Sequence, residues 1–231
     1  MIYGQVRRAE FIRRPNRFNA VCLLEGQETM VHVRNTGRCR ELLFQGAEVY
    51  LEEAANPKRK TRFSLVAVCK NNRIVNIDSQ APNRVFQEAV DAGMIRVPGL
   101  DEPGQLQREV TYGSSRFDFA YRRNGSWQGY IEVKGVTLEQ EGIAMFPDAP
   151  TVRGVRHLRG LEDLCRQGLD TRVCFIVQMD GICWFTPHDR MHPDFGKAVR
   201  EAAEAGVCIT AYSCSVSPDE IKVQAPIPVR L

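Results

Sequence analysis

The chain has 231 residues, and its 43% apolar and 26% charged residues are typical of a globular protein, which excludes disorder, collagen-like repeats and a coiled coil. No apolar run approaches the roughly 18 residues of a membrane span, and the N-terminus lacks the apolar core of a signal peptide. We therefore expect a cytoplasmic protein. The eight cysteines are scattered without a C-x-x-C pair, which favours buried free thiols over a disulfide framework or zinc.

The net charge of +3 is unevenly distributed along the chain. Residues 1–70 hold 13 Lys and Arg against 7 Asp and Glu, whereas residues 71–231 hold 18 against 21. A basic first third beside a mildly acidic remainder is typical of a module that binds a polyanion next to one that works through carboxylates. A solvated basic surface would give the same counts.

The first third of the chain predicts a small β-barrel. Turn residues separate strand-like runs at Tyr3–Ile12, Phe18–Leu24, Thr29–Val33, Ala47–Leu51, Ser64–Cys69 and Ile74–Ile77. One short helix is expected over Cys39–Phe44. Five or six strands with one intervening helix fit an OB-like barrel, whose strands and loops commonly bind nucleic acid, although another small barrel would give the same pattern.

After Ala81-Pro82-Asn83 the pattern changes to strands that alternate with helices. Helices are predicted over Arg84–Ala92, Thr151–Gln167 and Asp194–Ala205, and strands over Val110–Tyr112, Arg116–Tyr121, Gln128–Lys134, Arg172–Met179 and Val207–Ser213. This alternation predicts an α/β domain with a mixed, partly parallel sheet. We place the boundary at residue 82, which gives an OB-like domain over 1–82 and an α/β domain over 83–231, an α+β protein overall.

The candidate chemistry lies in the predicted hairpin between residues 116 and 134. Side chains alternate along a strand, so Glu132 and Lys134 point the same way, about 6.5 Å apart along the backbone. The apolar positions are expected to share the opposite face: Phe117, Phe119, Ile131 and Val133. Pairing these positions across the hairpin brings Asp118 opposite Glu132 and so gathers an Asp, a Glu and a Lys.

These three residue types suit phosphodiester hydrolysis. A Mg²⁺ or Mn²⁺ ion held by carboxylates neutralises charge on the phosphoryl oxygens and generates hydroxide near neutral pH. Asp118, Glu132 and the carbonyl of Val133 would supply the protein ligands, and Lys134 would orient the attacking water. The alternative is an ordinary solvated strand face with a cross-strand ion pair.

The metal hypothesis sets a condition on the hairpin register. A two-residue Asn124-Gly125 loop with regular pairing would place Phe117 opposite Glu132 and send Asp118 to the other face. The site therefore requires a connection of odd length or a β-bulge.

The sequence also resembles known families. Asp118 followed by Glu132-Val133-Lys134 resembles the PD-(D/E)XK nuclease motif, with Phe117 in place of the motif's Pro. Segments along nearly the whole chain resemble the sugar fermentation stimulation protein family: Pro15-Asn16-Arg17-Phe18, Asn35-Thr36-Gly37, Ala81-Pro82-Asn83-Arg84, Glu109-Val110-Thr111-Tyr112-Gly113, Arg116-Phe117-Asp118-Phe119, Tyr130–Leu138 and Phe146-Pro147-Asp148-Ala149. The resemblance implies an OB-like domain, a PD-(D/E)XK nuclease-like domain, DNA binding with little sequence preference and a role in regulating sugar metabolism genes.

Three further residues are candidates for auxiliary roles. The resemblance places Glu88, on the first helix of the second domain, where many such nucleases carry an auxiliary acid, although an ordinary surface carboxylate fits equally well. Arg153 and His157 are neighbours on one flank of a helix capped by Thr151. In the nuclease fold that helix borders the catalytic face, so the pair could contact the scissile phosphate, or it could be part of an ordinary surface helix.

The DNA-binding candidates lie at strand ends and loops of the first domain. They are Arg13, Arg14, Arg17, Phe18, Arg34, Arg38, Arg40, Lys58, Arg59, Lys60 and Arg62. Cations that follow the phosphates, with aromatic rings available for stacking, suit a single-strand groove. A Phe at such a position, Phe63 included, is more often core, and Lys58-Arg59-Lys60 also fits a solvated hairpin tip.

The sequence thus predicts a DNA-binding protein with a Mg²⁺ or Mn²⁺ nuclease site. A non-catalytic DNA-binding regulator with a relic nuclease fold is the main alternative, and RNA as the substrate is a third. Single- and double-stranded DNA and homodimer formation stay open. No membrane partner is expected.

Overall fold

The computed structural model describes residues 1–35, 37, 39–56, 58–97, 99–100 and 106–231. Within these ranges the first domain is a closed five-stranded barrel built from β1 (Val6–Arg13), β2 (Asn19–Leu24), β3 (Gln27–Val33), β4 (Glu48–Glu53) and β5 (Phe63–Lys70). The strand order is β3-β2-β1-β4-β5, and parallel pairing of His32 with Ser64 closes the barrel between β3 and β5. A sixth strand, β6 (Arg73–Asn76), pairs antiparallel with β5. The predicted OB-like barrel is confirmed.

The second domain is a mixed α/β unit. Its elements are α1 (Ala81–Asp91), β7 (Leu106–Tyr112), β8 (Ser115–Arg123), β9 (Ser126–Val136), β10 (Leu138–Gln140), β11 (Ile143–Phe146), α2 (Val152–Arg166), β12 (Asp170–Val177), β13 (Trp184–Pro187), α3 (Pro193–Glu204), β14 (Cys208–Val216) and β15 (Ile221–Ile227). The main sheet has the order β15-β14-β12-β9-β8-β7, with β9, β12 and β14 parallel and the outer pairs antiparallel. The predicted mixed sheet is confirmed.

Helices cover both faces of the main sheet. Helix α1 packs on β9, β12 and β15, and its Val85 and Phe86 lie in one apolar cluster with Ile131. Helix α2 packs on β8 and β12 and against α3, and its Leu158 lies in a second cluster with Tyr130. Because successive strand residues point to opposite faces, Tyr130 and Ile131 mark the two sides of the sheet.

Two details of the sequence prediction are corrected. The helix expected over Cys39–Phe44 is a single turn, in which Leu42 and Leu43 donate to the carbonyl of Cys39. Cys39 has a φ of 46°, outside the right-handed helical region, and the two leucines are buried. The prediction also omits β10, β11, β13 and β15, which are short or at the sheet edge, and of these β13 pairs with the distant strand β11.

None of the helices in the described parts of the chain combines the length and apolar character needed to cross a bilayer.

A buried polar network joins the barrel to the second domain. Arg34 at the end of β3 binds Asp78 at 3.1 Å and Glu52 at 2.6 Å. Asp78 also accepts a hydrogen bond from the backbone N–H of Gln80, and its carbonyl accepts one from Ala81, so it fixes the start of α1. Asp78 thus links a barrel strand to the first helix of the second domain.

Gln178, at the end of β12, extends this network from the other domain. Its Nε2 donates to Asn76 Oδ1 at 2.8 Å and to the carbonyl of Asp78 at 3.1 Å. Asn76 in turn donates to the hydroxyl of Tyr3 at 2.7 Å. Burial, together with the nearby Asp78 charge, raises the pKa of Tyr3, so the phenol stays neutral in this network.

We predict that Asp78→Ala lowers the free energy of unfolding by about 3 kcal/mol, because it leaves Arg34 with one fewer partner and removes a buried acceptor from the start of α1. Denaturant unfolding measures the change. The control is Glu28→Ala, whose partner Arg13 is more than half exposed, and which should cost less than about 1 kcal/mol. Equal losses in the two variants would show that the network does not hold the domains together.

Candidate active site

The β8–β9 hairpin meets the register condition through a bulge. The turn has two residues, Asn124 and Gly125, both with positive φ, as type I′ hairpins require. The pairing shifts between Tyr121 and Arg122, because Tyr121 lies opposite Gly129 whereas Arg122 lies opposite Trp127. One extra residue on β9 therefore reverses the faces that a regular two-residue hairpin would give.

Gly129 permits this bulge. A Cβ at this position would lie 2.4 Å from the ring of Tyr121 and 2.7 Å from the carbonyl of Asp170. The Tyr121 hydroxyl donates to Asp170 at 2.5 Å, which holds the ring across the glycine.

The two strands stop pairing just before the candidate site. The last paired residues are Phe119 and Ile131, and beyond them Asp118 Oδ2 accepts the backbone N–H of Val133 at 2.8 Å. The carboxylate thus replaces the partner that Val133 would have had in a continued ladder. Because the N–H and C=O of one strand residue point to the same side, the Val133 carbonyl also faces the side on which Asp118 lies.

The same separation corrects the predicted apolar face. Phe119, Ile131 and Val133 do lie together on the α1 side of the sheet. Phe117 instead packs in the other cluster, against Tyr130 and the ring of His157. The alternation breaks at Asp118 because β8 leaves β9 there.

Each carboxylate of the pair is held by its own set of donors. Asp118 Oδ1 accepts a hydrogen bond from Asn83, near the start of α1, at 2.9 Å. Glu132 is 3% exposed, and its Oε1 contacts both the ammonium of Lys134 and Nδ1 of His157. Glu132 Oε2 is buried and has no hydrogen-bond partner among the described residues. One oxygen of this carboxylate is therefore free to take a ligand.

Burial and neighbouring charged groups shift the pKa values of the two carboxylates in opposite directions. Burial and the neighbouring charge of Glu132 raise the pKa of Asp118 above its ordinary value. Burial also favours the protonated form of Glu132, but the hydrogen bond from His157 and the charge of Lys134 outweigh it, so the pKa of Glu132 is lowered. Glu132 is therefore the more firmly ionised member of the pair, and Asp118 is the one that a cation would stabilise most.

The donor set fits a hard divalent cation. The available atoms are oxygens: Glu132 Oε2, the carboxylate of Asp118 and the carbonyl of Val133. No cluster of three or more His, Cys, Asp or Glu side chains suited to a metal is found among the described residues. Two carboxylates and a carbonyl match Mg²⁺, which keeps several waters, better than a metal that needs a complete protein cage.

The structure does not place all of the auxiliary candidates at this pair. Glu88 binds the amino group of Met1 at 2.5 Å and Arg84 at 2.9 Å, whereas Asn83 of the same helix contacts Asp118. His157 is 2% exposed and packs behind Glu132, so it holds the carboxylate rather than contacting a phosphate. Arg153 is exposed and donates to Nε2 of His157 at 3.3 Å.

Asn83 is the site residue that the sequence prediction missed. It lies in the Ala81-Pro82-Asn83-Arg84 segment, which the sequence pattern marks as the start of the second domain and not as part of a site. Its contact with Asp118 depends on how α1 packs across the sheet, which local sequence does not indicate.

Several basic residues of the barrel have structural partners. Arg13 pairs with Glu28, Arg62 with Glu53, and Arg34 lies in the buried network. Arg59 donates to the Ser64 hydroxyl. Arg14 donates to the backbone carbonyls of Arg17, Asn35 and Gly37 and so fixes two loops. Arg14 and Arg34 are therefore not free to bind phosphate, which corrects their assignment as DNA-binding residues.

The remaining barrel cations are better placed for a polyanion. Arg17, Arg40, Lys58 and Lys60 are exposed and have no acidic partner among the described residues. Arg17 lies over the ring of Phe18, 5.3 Å from its centroid, and Phe18 is 50% exposed. Phe63 is core, 5% exposed, and Arg38 lies outside the described residues.

The fold and site define a two-domain protein in which an OB-like barrel precedes an α/β domain with a buried acidic pair. Two family models match this chain: the SfsA N-terminal OB domain over residues 12–77 and the sugar fermentation stimulation protein RE domain over residues 80–220. The chain belongs to the sugar fermentation stimulation protein family.

Full-length relatives agree with this membership. A sugar fermentation stimulation protein homolog of Clostridium kluyveri is 46% identical, covering 97% of this chain and 99% of the relative. A homolog of Clostridium tetani is 45% identical over the full length of both chains. The structure of Pyrococcus furiosus SfsA in complex with Ca²⁺ has 27% identity and a TM-score of 0.88, covering 100% of this chain and 98% of that one.

We predict that His157→Leu lowers the free energy of unfolding by about 2 kcal/mol, because it removes a donor to a buried, ionised carboxylate. His157→Asn should retain more of the stability, since its amide can donate from a position close to that of Nδ1. Urea unfolding of the two variants measures the difference. Equal losses would show that packing, and not the hydrogen bond to Glu132, is what His157 contributes.

Proposed function

We propose that this protein is a cytoplasmic DNA-binding protein with little sequence preference, whose second domain is a metal-dependent phosphodiester hydrolase of the PD-(D/E)XK type. The observation that carries the proposal is the buried Oε2 of Glu132, which has no hydrogen-bond partner among the residues that the structure describes, together with the nearby carboxylate of Asp118. The family is named for sugar fermentation stimulation, and we link the activity to the regulation of sugar metabolism.

The proposed metal is Mg²⁺ or Mn²⁺, bound by Asp118, Glu132 and the Val133 carbonyl. The Pyrococcus furiosus relative was solved in complex with Ca²⁺, another divalent cation that prefers oxygen ligands, which supports a divalent-cation site in this chain. When bound, such an ion neutralises charge on the phosphoryl oxygens and lowers the pKa of a bound water.

The chain's own residues prepare the pair for this role. Asn83 and the Val133 N–H fix the two oxygens of Asp118, and His157 fixes Oε1 of Glu132. Among the described residues, Lys134 is the one whose ammonium contacts Glu132, and its side chain is 18% exposed. It can therefore hold the attacking water or donate to a phosphoryl oxygen as negative charge develops there.

The barrel supports nucleic acid as the substrate. Its free cations, Arg17, Arg40, Lys58 and Lys60, suit phosphates, and the exposed ring of Phe18 beneath Arg17 suits a stacked base. None of these contacts reads a base edge, which is why we propose binding with little sequence preference. We favour DNA over RNA as the substrate, and the test below includes both.

We predict that the wild-type protein cleaves at least one of single-stranded DNA, duplex DNA and RNA when Mg²⁺ or Mn²⁺ is present. Asp118→Ala and Glu132→Ala should each weaken Mn²⁺ binding, measured by calorimetry, and abolish cleavage. Lys134→Ala should bind Mn²⁺ as the wild type does but cleave about 100-fold more slowly, because it loses charge stabilisation and not a ligand.

The matched control for this experiment is Asp163→Ala, an exposed carboxylate on α2, which should change neither metal binding nor rate. If the wild type cleaves no nucleic acid and Asp118→Ala binds Mn²⁺ unchanged, the hydrolase proposal fails. If the wild type cleaves no nucleic acid but its Mn²⁺ binding depends on Asp118, the result would favour a non-catalytic DNA-binding regulator.

A separate prediction concerns the barrel. Reversing the charge of Arg17, Arg40 and Lys60 to Glu should weaken binding of single strands of any sequence and flatten the dependence of log K on log salt by about 0.7 per lost phosphate contact. Fluorescence anisotropy across a KCl series measures both effects. Lys222→Glu, on edge strand β15, is the control and should change neither. An unchanged salt slope in the triple variant would exclude the barrel as the phosphate-binding surface.

A further inference from the structure

A cleft of about 380 Å³ lies between the barrel and the second domain. The barrel contributes Asn35 and Gly37, the start of α1 contributes Pro82, and the segment before α2 contributes Phe146, Pro147 and Asp148. These residues belong to segments by which the sequence resembles its family, and the proposed hydrolysis gives no role to Asn35, Gly37 or the residues 146–148.

The cleft lies near the candidate active site, because Pro82 of its lining directly precedes Asn83, the residue that donates to Asp118. Its floor includes Gly135, three residues after Glu132 on β9, which is about 10 Å along the strand. A Cβ on Gly135 would lie 2.5 Å from Gln178 Oε1 and 2.6 Å from Pro82 Cγ, so a larger residue would fill the floor. A strand whose phosphate lies at Asp118 and Glu132 therefore has a neighbouring nucleotide within reach of the cleft.

The size and walls of the cleft suit a nucleobase. Leu138, Met145, Phe146 and Pro147 give apolar surface, while Asn35, Thr137, Asp148 and Gln178 give polar groups. A base likewise has apolar faces and a polar edge. The volume admits a base, and a base that is stacked and paired within a duplex cannot enter a cleft, so the base has to come from a single strand or be turned out of a helix.

The charge of the cleft indicates which part of a nucleotide it recognises. Its described lining contains no Lys or Arg, and its single charged residue is Asp148. Gln178 is 2% exposed, its Nε2 is used by Asn76 and Asp78, and no described residue donates to its Oε1. Both Asp148 and Gln178 Oε1 are hydrogen-bond acceptors, so the matching ligand carries donors and is not a phosphate.

We propose that this cleft binds an amino-bearing base, guanine best, from the strand whose phosphate lies at Asp118 and Glu132. The cleft would thus add a preference at one nucleotide to barrel contacts that read no base edge. Guanine presents N1–H and an exocyclic amino group side by side, which a carboxylate accepts together, whereas thymine has no amino group. This assignment rests on the proposed function, since it assumes that the strand binds at the acidic pair.

The test uses fluorescence anisotropy in Ca²⁺, which can bridge a phosphate to the acidic pair, and a denaturing gel confirms that the strands stay intact. The probes are labelled ten-nucleotide thymidine strands that carry either one central guanine or one central abasic site. We expect the wild type to bind the guanine strand about tenfold more tightly than the abasic strand. Asp148→Asn removes the charge of the cleft, and Ala149→Trp fills the cleft. Both variants should reduce this ratio to near one, whereas Asp163→Asn should keep it.

The outcomes separate this assignment from the proposed function. If the wild type binds both strands with equal affinity, the cleft assignment is overturned and the proposed function still stands. The same holds if the preference for the guanine strand survives in both cleft variants. A wild type that binds no strand overturns both. Competition by dGMP as strong as that of the guanine strand would show that the ligand is a free nucleotide, and would overturn the assignment to a strand. Thermal unfolding of each variant, followed by circular dichroism, confirms that it is folded.

Discussion

The site depends on the point at which β8 and β9 stop pairing. If the ladder continued past Phe119 and Ile131, the N–H of Val133 would bond to the backbone of β8 and Asp118 would have no place beside Glu132. The separation turns a regular hairpin into an open edge, at which a carboxylate replaces a backbone acceptor. The bulge near Gly129 is equally necessary, because its one-residue shift brings Asp118 level with Glu132 along the two strands. Two local irregularities therefore create the acidic pair.

Both domains hold this arrangement in place. Asp78 fixes the first turn of α1, and α1 carries Asn83 to Asp118. Asp78 is itself bound by Arg34 of the barrel and contacted by Gln178 of the second domain. The barrel is thus more than a separate binding module, because its Arg34 supports the helix that orients a candidate metal ligand. On the other face of the sheet, α2 holds Glu132 through His157.

The sequence predicts the barrel and the mixed sheet, because strand periodicity and turn residues are local signals. It groups Asp118 with Glu132 only on the condition of a bulge in the hairpin, and the turn residues themselves do not indicate that bulge. It does not predict which cations are free. Arg14 and Arg34 look like Arg17 in sequence, but loop carbonyls and buried acids from distant segments bind them. It also places Glu88 at the site instead of Asn83, because the packing of α1 on the sheet decides which side of that helix faces Asp118. The strand β13 pairs in parallel with β11 across about 40 residues, which no local pattern indicates.

We propose above all that Asp118 and Glu132 bind a divalent cation through Glu132 Oε2, for which the described part of the chain supplies no hydrogen-bond partner. Anomalous diffraction from crystals soaked in Mn²⁺ tests it most directly, because the signal locates the ion without reference to activity. The account predicts a peak about 2.2 Å from Glu132 Oε2, with the Asp118 carboxylate and the Val133 carbonyl as the other protein ligands. A well-ordered crystal at high Mn²⁺ with no peak between these residues would contradict it.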